Sequence, residues 1–326
     1  MKKILITGAS GFIGRSLCKT LSTSGRFFRG AVRSLDSIST DTRANYVSIG
    51  DITTKTNWKD ALANIDCIIH CAGRAHVMNE TKKNELEIYK STNVQGTKLL
   101  AQEAAKAGVK RLIFLSSIKV MGESTDNIHV NIDSKKKNNF FFTHSHLPNP
   151  EDPYSISKFE AEKILWEISS ITGLEIVVIR IPLVYGYGVK GNLMRLIKLI
   201  NFGIPLPFSR INNKRSLIGI DNLVDLLIRC CEHPNAKGKT FLASDGNDLS
   251  TPDLINYLAL FMGQKVRLFP FPIFLLKFLG SVFGKKKEIN RLVGSLRLDD
   301  NYTKNILNWI PPVSTKEGIR RMVQHK

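Results

Sequence analysis

Apolar residues follow two rhythms along this chain: short unbroken runs, and longer stretches in which they recur at every third or fourth position. The runs are "KKILIT", "FFRGAVRS", "DCIIHCAG", "KRLIFLSS" and "LEIVVIRIPLVYG", each meeting glycine, serine or a turn-forming cluster at its end. They predict strands buried on both faces, the pattern of a parallel sheet. Between them, "RSLCKTLSTSG", "LEIYKSTNVQGTKLLAQEAAKAG" and "SKFEAEKILWEISSITG" carry helical spacing and close on glycine. Strand and helix alternate, so the expected fold is α/β, a Rossmann doubly wound parallel sheet.

From about Gly188 onward Pro, Gly and basic residues become more frequent and no second glycine loop occurs. The division expected is a dinucleotide-binding domain over 1–187 and a mainly substrate-binding lobe over 188–326, with some segments returning to the first. Residues 124–150 have polar clusters and prolines without a period and predict a long loop.

With 326 residues, 43% apolar and 23% charged, the chain has the balance of an ordinary globular protein. Its formal charge of +19 favours anionic partners: nucleotides, diphosphate sugars or an acidic membrane face. Without an interleaved aromatic and basic stripe or a recognition motif, nucleic acid is not expected. The "KKK" runs at 135–137 and 285–287 read as solvated surface. The five cysteines are odd in number and lack metal-ligand spacing, and His144 and His146 have no partner ligands, so no metal is expected. No secretion signal is read, and a cytoplasmic setting, with the inner membrane face as a variant, follows. The stretch 266–287 is the most apolar, yet Pro270, Pro272 and Lys277 interrupt it and it is too short to span a bilayer. An internal or subunit-interface helix is favoured there, with a membrane-surface segment as the alternative.

"GASGFIG" places Gly8, Gly11 and Gly14 between a strand and a helix. These would allow a tight turn, a close backbone approach to a pyrophosphate and close packing of helix on strand, with the helix N-terminus at Phe12 and Ile13 favouring the anion. Where an NAD site has a carboxylate after the second strand, this chain has Arg33, which suits a 2'-phosphate; NADP(H) is therefore favoured and NAD(H) kept, with Asp36 as the competing acid. Asp51 of "GDIT" is a candidate for the adenine amine. "PYSISK" sets Tyr154 and Lys158 on one helix face, where an ammonium would lower the phenol's pKa and ready it for proton transfer. Ser117, ending "LIFLSS", lies where a parallel sheet presents its ligands.

Together "GASGFIG", "GDIT", "IHCAG", "NVQGT", "FLSSIKVMG", "PYSISK", "RIPLVYG", "KGNLMRL", "KRSLIGIDNLVD" and "LNWIPP" resemble the extended short-chain dehydrogenase/reductase family, in its NAD-dependent epimerase/dehydratase branch, over nearly the whole chain. The resemblance implies Ser117, Tyr154 and Lys158 as the catalytic trio, with Tyr154 the acid/base. It implies a cofactor lining of Gly8, Gly11, Phe12, Ile13, Gly14, Arg33, Asp51, Ile52, Cys71, Ala72, Gly73, Asn93, Tyr154, Lys158 and Pro182. For a UDP-sugar substrate it implies Arg74, His76, Ser117, Asn192, Arg215 and Arg291. Leu183 replaces an Asn common in relatives, and Ser295 replaces an Asp. The pattern is most similar to bacterial surface-polysaccharide enzymes of the UDP-glucose 4-epimerase type. Reduction of a UDP-4-keto-6-deoxy-N-acetylhexosamine, of the UDP-N-acetylquinovosamine kind, stands first, and a 4-epimerase holding NAD second. A non-catalytic dinucleotide sensor or an enzyme of polyprenyl-linked sugars is more remote. A homodimer is usual in relatives.

Overall fold

A computed structural model describes residues 2–75, 85–126 and 140–324, apart from the side chains at 37 and 41. The strands are β1 (Ile4–Thr7), β2 (Phe28–Val32), β3 (Tyr46–Ser48), β4 (Cys67–His70), β5 (Arg111–Ser117), β6 (Glu175–Ile181), β7 (Leu183–Tyr185), β8 (Leu217–Gly219) and β9 (Lys239–Leu242). Seven of them form one parallel sheet in the order β3-β2-β1-β4-β5-β6-β9, and β7 pairs with β8 separately. The order reverses between β1 and β4, so their carboxyl ends open the crevice where such sheets bind ligands.

The helices are α1 (Phe12–Thr23), α2 (Lys59–Leu62), α3 (Glu85–Tyr89), α4 (Thr97–Lys106), α5 (Pro153–Thr172), α6 (Asn192–Asn201), α7 (Ile220–Glu232), α8 (Thr251–Phe261), α9 (Ile273–Val282), α10 (Lys286–Val293), α11 (Asn301–Leu307) and α12 (Thr315–Gln324). A π-helical segment, Lys90–Gly96, joins α3 to α4.

Alternation along each strand sends neighbours to opposite faces, and both faces are dry. Ile4, Ile6, Ile69, Ile113 and Val177 meet α1 and α7, whereas Leu5, Ile68, Leu112, Phe114 and Ile176 meet α4 and α5. Residues of 220–242 rejoin the main sheet, α7 lying beside α1 and β9 adding to β6. A separate core gathers Leu193, Ile200, Leu217, Ile255, Leu258 and Ile319 under α6, α8 and α12. Of the long loop expected at 124–150, residues 127–139 lie outside the described residues, as does the "KKK" run within them. Downstream of these, Phe142 bridges to Leu298.

Candidate active site

The turn after β1 requires its glycines. Gly8 has φ +66°, in the left-handed region, and a Cβ there would stand 2.9 Å from the Ala72 backbone. A Cβ on Gly14 would lie 2.2 Å from the Gly8 carbonyl oxygen, so α1 packs on the turn only as glycine allows. Gly11 is the N-cap of α1 and, among the described residues, no side chain caps the first-turn N–H groups at Phe12 and Ile13. An anionic diphosphate fits this cradle, because any side chain on these glycines would fill it.

The second wall is the segment after β4. Buried Asn93 clamps it: Oδ1 accepts from the Arg74 backbone N–H at 2.8 Å, while Nδ2 donates to the Arg74 carbonyl and to Ser157 Oγ, each at 3.0 Å. Asn93 thus ties the Gly73–Arg74 turn to α5, and it sits in the π-helical segment, which re-aims its side chain. Gly73 lies against both Asn93 Oδ1 and Lys158 Nζ. Ile52 packs on Gly96, where a Cβ would meet it at 2.4 Å. Arg74 lies at this wall, whereas His76 is outside the described residues.

Sequence reasoning passed over His70, the last residue of β4. It is buried between Thr7 Oγ1 at 2.6 Å and Thr97 Oγ1 at 2.9 Å, and Thr7 Oγ1 in turn accepts the Ala72 N–H at 3.2 Å. Either hydroxyl can donate or accept, so the two contacts satisfy a neutral ring in either tautomer. Burial, helped by the Lys158 charge, lowers its pKa to about 3. The signal was present in "IHCAG", but a histidine in a strand is equally consistent with plain core.

Ser117 ends β5 and is buried, and its side chain is near enough to the Tyr154 hydroxyl, in the first turn of α5, to draw the phenol's pKa downward. Tyr89 packs edge-on against the Tyr154 ring, with centroids 5.8 Å apart. α5 begins with a full capping box: Asp152 accepts the Ser155 N–H at 2.7 Å and Ser155 Oγ accepts the Asp152 N–H at 3.1 Å, with Pro153 at the first helical position.

One expectation is corrected. Lys158 shares the helix face with Tyr154, but its ammonium donates to the Leu115 carbonyl at 2.7 Å and lies over the Phe114 ring at 4.3 Å. Burial, reinforced by Asp152 and Tyr89, pushes the Tyr154 phenol above its ordinary value; the Ser117 side chain opposes this without reversing it. Spacing put the two groups on one face, and the side-chain rotamer then turned the ammonium to a carbonyl. Burial also lowers the Lys158 pKa to about 8, with Glu162 and Cys71 acting in the other direction.

At the end of β2, Arg33 Nε pairs with Asp51 at 2.6 Å, the side chains being 79% and 69% exposed. Asp51, expected at the adenine amine, is thus the counter-ion of the residue expected at the 2'-phosphate. Asp36 is held by the Ser34 hydroxyl at 2.6 Å. Cys71 and Ala72 follow β4, and Pro182 is buried at the end of β6.

The residues expected at the sugar nucleotide are only partly gathered. Arg215 and Arg291 meet: Arg215 Nη1 donates to the Arg291 carbonyl at 3.0 Å and to the Gly294 carbonyl at 2.9 Å. Burial lowers the Arg215 pKa to about 10. The Arg291 guanidinium faces Glu123 at 3.4 Å and Asp152 at 3.6 Å. Lys119 joins the same carboxylates at 2.7 Å and 2.6 Å. Asn192 opens α6, is exposed, and among the described residues has no hydrogen bond to this cluster. Leu183 is also exposed.

A glycine turn at the switch point, a Ser, Tyr and Lys at the carboxyl edge and a parallel sheet define an α/β dinucleotide-dependent enzyme of the extended short-chain dehydrogenase/reductase type. The profile of the NAD dependent epimerase/dehydratase family matches residues 4–243, and the chain belongs to that family. It is 41% identical over 99% of its length, and 95% of the relative's, to a UDP-glucose 4-epimerase of Vibrio cholerae. It is 23% identical, over 99% of its length and 95% of the relative's, to the N-acetyl-alpha-D-glucosaminyl-diphospho-ditrans,octacis-undecaprenol 4-epimerase of Escherichia coli O157:H7. Among solved structures, the UDP-glucuronic acid 4-epimerase of Bacillus cereus in complex with NAD superposes with a TM-score of 0.76 at 20% identity, covering 99% of this chain and 98% of that one. The UDP-glucose 4-epimerase of Thermotoga maritima with UDP-glucose gives 0.74 at 22%, with the same coverage.

Proposed function

We propose that the protein transfers hydride at C4 of a UDP-sugar and works as a UDP-sugar 4-epimerase, with NAD held through the cycle. The observation that carries this reading is the segment after β4, where the Ala72 backbone backs Gly8 of the glycine turn and Gly73 lies against Asn93 Oδ1 and Lys158 Nζ, so that one wall joins the turn to the helix bearing Tyr154 and Lys158. The relative at 41% identity is a UDP-glucose 4-epimerase, and the lipid-linked relative is also named for position 4 of a diphosphate-linked sugar.

Gly8, Gly11 and the first turn of α1 would hold the dinucleotide diphosphate, with Asn93 fixing the turn beside the nicotinamide. A dinucleotide bound there would supply the acceptor and then the donor for the C4 hydride. Ser117 holds the sugar oxygen, and Tyr154 moves its proton. Lys158 assists by leaving the Leu115 carbonyl for the ribose and the phenol, where its charge lowers the hydroxyl's proton affinity. Retention of the 4-keto sugar until it presents its other face gives epimerisation; hydride delivery to a ketone supplied from outside gives reduction.

The reductase, using NADPH on a UDP-4-keto-6-deoxy-N-acetylhexosamine, is the second reading and rests on Arg33. Its ion pair with Asp51 is exposed and worth little, about 0–1 kcal/mol, so a 2'-phosphate could displace the carboxylate. The same carboxylate compensates the Arg33 charge in the resting protein, which puts NAD first.

Purified protein is incubated with UDP-N-acetylglucosamine or UDP-glucose, and separately with the 4-keto-6-deoxy sugar nucleotide and NADPH. Chromatography with mass spectrometry reads the products. An isobaric stereoisomer from the first mixture is expected; gain of two hydrogens in the second, with no isomer in the first, selects the reductase. Tyr154→Phe should remove turnover in either case while the protein still binds dinucleotide, and unchanged turnover would overturn the assignment of Tyr154. Arg33→Ala should leave NADH binding intact, whereas a selective loss of NADPH binding favours the second reading.

A further inference from the structure

The apolar stretch near the C-terminal lobe forms a helical hairpin with one face uncovered. α9 buries Leu276 and Gly280, and Gly280 approaches α10 so closely that a Cβ would stand 2.6 Å from Ile289 Cγ1. The opposite face presents Phe274 and Phe278, 70% and 61% exposed, and Phe283 follows at 72%. Positions 274, 277, 278 and 281 share one helical face, so Lys277 stands among the aromatic rings. Among the described residues Lys277 has no ion-pair partner. The face continues sideways, because Leu206 bridges to Leu268 and thereby sets exposed Phe202 and Ile204 beside the hairpin's entry.

The charge around this face is one-sided. Residues 263–288 contain six basic side chains, at 265, 267, 277 and 285–287, against the single acid Glu288. A second copy of the chain is a poor occupant, since a two-fold interface would set each basic cluster against its own image. A protein interior is no better, because it would bury Lys277 without a counter-charge. Aromatic rings flanked by lysines suit the boundary of an anionic bilayer: the rings enter the acyl margin, Lys277 extends its ammonium to the headgroups, and residues 285–287 meet phosphate. No helix among the described residues is long and apolar enough to cross a membrane, so the contact would be peripheral.

We propose that the α9–α10 hairpin docks the protein on an anionic lipid surface through Phe274, Phe278 and Phe283, with Lys277 and residues 285–287 as the electrostatic part. α10 also carries Arg291, which reaches the cap of the Tyr154 helix, so docking sets the mouth of the candidate site beside the bilayer. This proposal does not depend on which hydride-transfer reaction the site performs.

The test is flotation of the full chain with vesicles of phosphatidylcholine and phosphatidylglycerol, and with phosphatidylcholine alone. Binding to the mixed vesicles is expected, falling steeply with salt. The double variant Phe274→Ser, Phe278→Ser should bind at least about tenfold more weakly, and Lys285→Gln with Lys286→Gln and Lys287→Gln about as weakly. The serine variant should keep the wild-type melting temperature and its turnover of soluble sugar nucleotide, because both side chains are exposed. No flotation of the wild-type chain, or flotation of either variant equal to the wild type's, overturns the proposal. So does a vesicle-free dimer, seen by sedimentation, that the serine variant dissociates; the face then belongs to a second copy.

Discussion

Lys158 and His70 stand on the same buried wall, each shifted toward its neutral form, and they set different pH limits. With Lys158 lowered to about 8, its ammonium is intact at neutral pH and is lost above that value. Both roles proposed for it, bonding the ribose and lowering the phenol, require the charge. We therefore expect kcat/KM to be level below about pH 8 and to fall with unit slope above it. Lys158→Arg should remove this limb up to pH near 11, at lower absolute activity, because a guanidinium stays charged there; a pH profile of both proteins checks it. His70 affects stability instead. Its pKa is about 3 in the folded protein against an ordinary 6.5, so between these values the unfolded chain holds a proton that the native state does not. Stability contributed by the neutral ring is complete above the upper value and is lost as pH falls through the window, by at most about 1.4 kcal/mol per unit. Urea titrations at several pH values should show the slope, and His70→Gln should flatten it.

α5 carries both Tyr154 and Lys158, and its placement depends on one buried ion pair. Glu162 accepts from Arg180 Nη2 at 2.7 Å and from Nε at 3.2 Å, with side chains 2% and 8% exposed, and Ser116 on β5 donates to the same carboxylate. Glu162→Ala or Arg180→Ala leaves a buried charge alone and should cost about 3–5 kcal/mol, whereas replacing both with apolar residues should cost less. Denaturant unfolding of the two single variants and the double variant gives the cycle. This pair also marks where the sequence was silent. The strands were legible because both faces of a parallel sheet are dry, leaving unbroken apolar runs such as "RLIFL". The body of α5 was legible from Ser157 onward and the four-residue spacing of Tyr154 and Lys158 reached back one turn, but the capping box that starts it at Pro153 was not read. Glu162, however, reads as an ordinary polar position of an amphipathic helix, and its partner lies 18 residues away on another element. The Lys158 rotamer was hidden for the same reason, since helical spacing assigns a face and not the carbonyl found there.

Across the whole molecule, the segment around α10 closes on the sheet domain through several contacts. Thr125 N–H donates to the Ser295 carbonyl at 2.9 Å and Ser295 N–H to Asp126 at 2.9 Å, while Arg215 holds the Arg291 and Gly294 carbonyls from beneath. Arg291 is thereby presented to Glu123 and Asp152 at the cap of α5. If Arg291 serves the substrate diphosphate, as the family resemblance implies, then in the resting protein it is shared with carboxylates that a diphosphate must outcompete. The two sides of that competition predict opposite effects. Arg291→Ala should raise KM for the UDP-sugar about tenfold, the size of one charged hydrogen bond, while kcat changes little. Glu123→Gln removes a competitor and should lower KM by a few fold, on the scale of one half-buried surface ion pair. In the double variant the benefit of Glu123→Gln should vanish, because the guanidinium it releases is gone. Additive effects in steady-state kinetics would mean instead that Arg291 only braces the two lobes and that the diphosphate is held elsewhere.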